Sequence, residues 1–215
     1  MNPDAILEVG RIILVIAASL CLVPLVLTLS RTLALPYKPG KPWPVRTSWL
    51  AVALMLIAFV FVALKEQSLV SVALMMVFIA ALTVLALLDA RLKILPNKLT
   101  LPLLGIGVLV SLTGYTVGWQ QSLIGATSGF LMLYLPALLF SKISGREGVG
   151  YGDFKLMAAV GAWLGWQPLL FIIMVAGISV AIVGSIYLKV NNLPRSTVIP
   201  FGPFLVAASV VACVM

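Results

Sequence analysis

Apolar runs as long as a bilayer is thick, parted by short loops in which the basic residues collect, leave this chain few folds to choose from. At 62% hydrophobic and 9% charged over 215 residues, it carries more apolar surface than a soluble domain can hide. The bilayer is then its solvent, and backbone groups in hydrocarbon must find partners within their own segment. The expected fold is all-α and polytopic, one helix bundle forming a single domain over 1–215.

Hydropathy predicts eight membrane segments, at 12–30, 49–64, 69–88, 99–119, 122–140, 154–164, 168–187 and 201–214. Pro24 is expected to kink the first. The run 154–186 is too long for one span of about 20 residues, and Gly165-Trp166-Gln167-Pro168 divides it. The sixth and eighth segments are short. The first is preceded by Asp4, Glu8 and Arg11, which make no basic n-region, and has no small-residue cleavage site, so it reads as a retained helix rather than a signal peptide.

Basic residues fall in every second connection. Arg31, Lys38, Lys41 and Arg46 occupy one, and Arg91, Lys93 and Lys98 the next. Lys142, Arg146 and Lys155 follow, then Lys189 and Arg195. The alternate connections hold only Lys65 with Glu66, Trp119-Gln120, and 165–168. The positive-inside rule puts the basic loops in the cytoplasm and both termini outside. The net charge of +8 therefore reads as membrane orientation, with lipid as the partner and no nucleic acid.

Absences narrow the chemistry further. Without histidine there is no Ser-His or Cys-His nucleophile pair and no His-based metal site. Cys21 and Cys213 lie inside apolar runs with no CxxC, and read as small apolar core residues.

Two of the three aspartates stand at segment edges, where a carboxylate is expensive and usually marks function. Asp89 closes the run 73–88, and Asp153 precedes the run that begins at Phe154. The loop alternation puts both at the cytoplasmic face. Each alone has an ordinary reading: Asp89 as a helix-end acid paired with Arg91 or Lys93, Asp153 as an N-cap or first-turn acid. Together they form a candidate dyad that shares a proton and activates water. Leu95-Pro96-Asn97 is a helix breaker followed by a turn former, so the chain reverses there. Gly145, Gly148, Gly150 and Gly152 give the second block a backbone that can approach another chain closely.

The two blocks together resemble the paired motif of the type IV prepilin peptidases, membrane aspartic proteases of the GxGD type. There an Asp is followed, after a short basic stretch, by Pro-Asn or Pro-Asp, and a second lies in Gly-x-Gly-Asp-x-Lys. This chain has Asp89 with Leu95-Pro96-Asn97, then Gly150-Tyr151-Gly152-Asp153-Phe154-Lys155. Ile199-Pro200-Phe201-Gly202-Pro203-Phe204 matches the family's final segment, and the likeness runs from about Ala81 onward.

The resemblance implies that Asp89 and Asp153 are catalytic, supported by Pro96, Asn97, Gly150, Gly152, Lys155, Pro200 and Gly202. Lys155 would raise the local potential or meet the substrate carbonyl, or else anchor the helix at the membrane edge. Gly150 and Gly152 would pair with an extended substrate strand, or only loosen the loop. Pro200 and Pro203 would mark a break that closes the cleft, or only start a helix. Arg91, Lys93 and Lys98 would steer a basic leader, or only fix topology.

The implied substrates are type IV prepilins or type II secretion pseudopilins, cleaved after a glycine between a basic leader and an apolar helix. The implied place is the cytoplasmic face of a bacterial inner membrane, and peptidase activity needs no cofactor. Longer members of the family also N-methylate the product with S-adenosylmethionine, and carry two CxxC pairs in a cytoplasmic domain. Here the loop 31–48 is a proline-rich basic tether without cysteine, so the likeness does not extend to methyl transfer. Outside the family, the dyad would fit a proton-coupled transporter or a non-catalytic secretion or pilus assembly protein.

Overall fold

The computed structural model describes residues 3–34, 45–65, 68–145, 149–194 and 197–215. Among these are eight helices and no strand: α1 Pro3–Ala34, α2 Val45–Lys65, α3 Leu69–Leu92, α4 Asn97–Ser111, α5 Trp119–Ser144, α6 Tyr151–Leu164, α7 Leu169–Val190 and α8 Gly202–Val214. The all-helical expectation holds. Val15–Ala34 within α1, and α3, α5 and α7, are long and apolar enough to cross a membrane; Ala51–Lys65, α4 and α8 are apolar but shorter. The tether 35–44 lies outside the described residues, as do Glu66, Arg146 and Arg195.

Several boundaries differ from the hydropathy reading. α1 runs unbroken through Pro24 to Ala34 and α2 begins at Val45, so helix takes both ends of the expected loop 31–48. α4 stops at Ser111 rather than near 119, because Gly114 turns the chain at φ 76°. α3 continues past Asp89 to Leu92 and closes on Lys93, whose left-handed backbone (φ 56°) donates its N–H to Asp89 O. The cysteines differ too: Cys21 is exposed on α1, and only Cys213 is partly buried.

α3 is the central helix. Phe78, Leu82 and Leu85 face a core with Met157, Val160 and Trp163. Met76, Ile79 and Leu88 face a second core with Met55, Phe59 and Val62. Burial on both sides explains why its sequence is apolar all round.

α6 is short, about 21 Å at 1.5 Å per residue, and small residues lock it in place. α5 presents Gly125 and Gly129, one turn apart, to the α6 backbone. A Cβ on Gly129 would sit 2.5 Å from the Met157 carbonyl oxygen, and one on Gly161 would run into the Gly125 carbonyl. Such helices approach to backbone contact, where dispersion and polar contacts hold them in a solvent as apolar as their side chains. Ser122 Oγ donates to Ala162 O at 2.7 Å across the same seam. On the far side, Trp163 Nε1–H donates to Leu103 O at 2.8 Å, and its ring stacks on Phe78 at 4.8 Å.

Gly161→Ala is therefore expected to force α5 and α6 apart at a cost of about 1–3 kcal/mol, the range of overpacked cores. Thermal unfolding in detergent should show a clear loss. Gly177→Ala on α7, where an added Cβ meets nothing within 4 Å, should leave the transition unmoved.

Candidate active site

Asp89 sits in the last turn of α3, where a negative charge opposes the dipole of its own helix. Its stabilisation comes from another helix. Gly202 N–H, at the start of α8, donates to Asp89 Oδ2 at 2.9 Å across 113 positions of sequence. The first N–H groups of a helix have no partner within it, so the carboxylate fills a real need there. Only glycine permits the approach, since a Cβ on Gly202 would lie 2.7 Å from Oδ2 and 2.9 Å from Cγ. Pro203 follows in the first turn, where its missing N–H costs nothing.

Asp153 is the third residue of α6, with Gly150 as N-cap. An acid in the first turn suits the helix dipole, and Gly150 supplies a backbone hydrogen bond. Its Oδ1 is buried without a hydrogen-bond partner among the described residues. The two aspartates are 6% and 7% exposed and close enough for the Asp89 charge to act on Asp153. They meet at the end of the bundle that carries Lys93, Lys98 and Lys155, as the loop alternation implied.

A clasp beside the carboxylates joins the two sequence blocks. Pro96 is the N-cap of α4 in extended geometry, so the predicted reversal is present. A Cβ on Gly152 would sit 2.8 Å from Leu95 Cβ, which packs the first turn of α6 on that reversal. Gly152 is helical and packs closely on this reversal. Lys155 Nζ donates to Asn97 Oδ1 at 2.9 Å and lies 5.1 Å from the Tyr151 ring centroid. Pro200 stands in the non-helical stretch before α8, two residues from Gly202.

Two elements of this neighbourhood had no sequence signal strong enough to find them. Lys93 Nζ donates to Val198 O, tying the α3–α4 turn to the stretch that leads into Gly202. Tyr151 and Phe154 pack with Phe130 and Tyr134 of α5 beside Asp153. The spacing of Phe130 and Tyr134, one helical turn apart, was the available hint.

The arrangement is two buried carboxylates, Asp89 at the C-terminal end of α3 held by the first N–H of α8 and Asp153 in the first turn of α6 with an unspent oxygen. Among the described residues no group of three acids or cysteines could hold a metal. The chemistry open to these residues is proton exchange with a water or a carbonyl held between them.

Residues 76–185, half of the chain, match the model of the type IV leader peptidase family. A prepilin leader peptidase/N-methyltransferase of Pseudomonas aeruginosa is 42% identical over 131 residues, 61% of this chain and 45% of the relative. The protein of that name from Xanthomonas campestris is 42% identical over 56% of this chain and 42% of its own length. The one from Pectobacterium carotovorum is 38% identical over 65% and 50%. The chain thus spans about half the length of these curated relatives or less. No solved structure matches it.

Gly202→Ala is expected to push α8 off Asp89 and lower thermal stability in detergent. In an Asp89→Ala background the two nearest atoms, Oδ2 and Cγ, are gone and only Cβ at 3.1 Å remains, so the same substitution should cost at least about 1 kcal/mol less, a coupling typical of residues in contact. Additive losses would contradict the contact.

Proposed function

The chain belongs to the type IV leader peptidase family, and on that premise we propose that it is a membrane aspartic endopeptidase acting on prepilin-type substrates. The observation that carries the proposal is the convergence of Asp89 and Asp153, both buried, beside the unspent Asp153 Oδ1. Two carboxylates this close hold one proton between them. The ionised member takes a proton from water, which attacks the scissile carbonyl. The protonated member donates to the carbonyl oxygen, and no covalent intermediate forms. Gly202 keeps one carboxylate aimed during the exchange, because its N–H bond to Asp89 does not depend on substrate.

We place the carboxylate end at the cytoplasmic face of a bacterial inner membrane, from the basic residues gathered there. A leader that is basic and cytoplasmic, followed by an apolar helix, would bring its junction to that depth. A helical bond is shielded from attack, so the junction must unwind at the site. The substrates in this proposal are prepilins or pseudopilins, the class in the relatives' names.

Those names also include N-methyl transfer, which implies an S-adenosylmethionine site. Among residues whose side chains are described, Asp89 and Asp153 are the only carboxylates, and none is left to hold a ribose diol. The proposal contains no step through that cofactor.

Co-expression with a prepilin in membranes tests the proposal, with mass spectrometry of the new N-terminus. Wild type should release the leader. Asp89→Asn and Asp153→Asn should each lose cleavage by about 10³-fold or more, as members of a unit that acts together do, with insertion into the membrane unchanged. Retained cleavage by either variant would sink the dyad. The product mass reports whether a methyl group is added.

A further inference from the structure

An apolar groove of about 430 Å³ runs along the outside of the bundle. Its walls are α2, from Ala51 to Phe61, and α8, from Pro203 to Val214; α3 is the floor. Its lining comes close to the site, since Pro203 follows Gly202 and Ala86 lies on α3 one turn before Asp89. Each wall extends about 15 Å at 1.5 Å per residue, three helical turns. Ala58, Ala86 and Ala207 keep the lining small, as where helix backbones approach in membranes. Larger side chains, Leu54, Phe61 and Val211, stand 47–60% exposed along the walls. The hydroxyl of Thr83 is spent on Ile79 O at 2.8 Å, so it asks nothing of an occupant.

We propose that this groove between α2 and α8 seats the apolar helix of the substrate and hands its N-terminal end to Asp89 and Asp153. The inference rests on the peptidase reading of the same site. A helix fits better than an ion or a headgroup because the lining presents no unmet polar atom. The lining at Ala86 and Pro203 comes within one helical turn of Asp89 and one residue of Gly202, so a helix seated there would bring its end beside the carboxylates. Binding there would contribute through the helix rather than the junction, so its loss should appear in KM.

The test uses the full chain in nanodiscs with two substrates: an intact prepilin, and a peptide of its leader and junction that lacks the apolar helix. Ala207→Trp and Leu54→Trp fill the groove from exposed positions. Each should lower kcat/KM for the prepilin about tenfold, through KM, while cleavage of the peptide stays within about twofold. Ile178→Trp, equally exposed on α7, should change neither. Equal losses on both substrates, or none on either, would overturn the groove and leave the peptidase standing. Failure of wild type to cleave either substrate would instead remove the peptidase reading beneath it. A benzoylphenylalanine in place of Val211, in the Asp153→Asn protein, gives a second readout independent of turnover. Photo-adducts with the prepilin support the proposal, and adducts with lipid alone overturn it.

Discussion

The hydrogen bond from Gly202 N–H to Asp89 joins the end of the central helix to the start of the last one, and the site depends on it. A carboxylate in the last turn of α3 is poorly placed for its own helix. Buried in a membrane protein, it needs a partner that neither neutralises it nor lets in bulk water. The free end of α8 meets both conditions, and glycine at 202 lets the backbone come near enough. Asp153 solves the same problem within its own helix, from the first turn of α6. The two acids thus reach one place from opposite helix polarities, which only an antiparallel arrangement of α3 against α6 and α8 allows.

Holding that place requires the rest of the bundle to be stiff. α6 carries Asp153 at one end and Trp163 at the other, and both are anchored. The glycine seam with α5 fixes its depth, and the packing of Gly152 on Leu95 with the Lys155–Asn97 bond fixes its first turn. Lys93, reaching Val198 O, ties down the stretch that delivers Gly202. Lys155 and Lys93 thus spend their ammonium groups on chain-to-chain contacts at the site's edge.

Much of this was legible from the sequence, and the misses have physical causes. Seven of the eight hydropathy windows are covered over nearly their whole length by a helix, because apolar length is what the bilayer selects. The fourth window overran, because Leu112, Tyr115 and Val117 stay apolar through a turn that Gly114 makes. Asp89 was placed after its helix, because hydropathy falls there while Ala90, Arg91 and Leu92 remain good helix formers. The aspartates themselves stood out as costly charges at segment edges. What each one touches did not, since Gly202 and Val198 lie more than a hundred positions from Asp89 and Lys93. Gly152 looked like loop freedom and is a packing contact, a distinction that needs Leu95 in view.

The central claim is that Asp89 and Asp153 share one place in the folded protein. Thiol crosslinking in native membranes tests it without any substrate. With Cys21→Ser and Cys213→Ser as background, Asp89→Cys and Asp153→Cys are combined and treated with a short bifunctional thiol reagent. The linked peptides are then mapped by mass spectrometry. A link between positions 89 and 153 is expected, and none when Ile178→Cys replaces Asp153→Cys. Cysteines at 89 and 153 that each react with a maleimide, yet are never joined to one another, would contradict it.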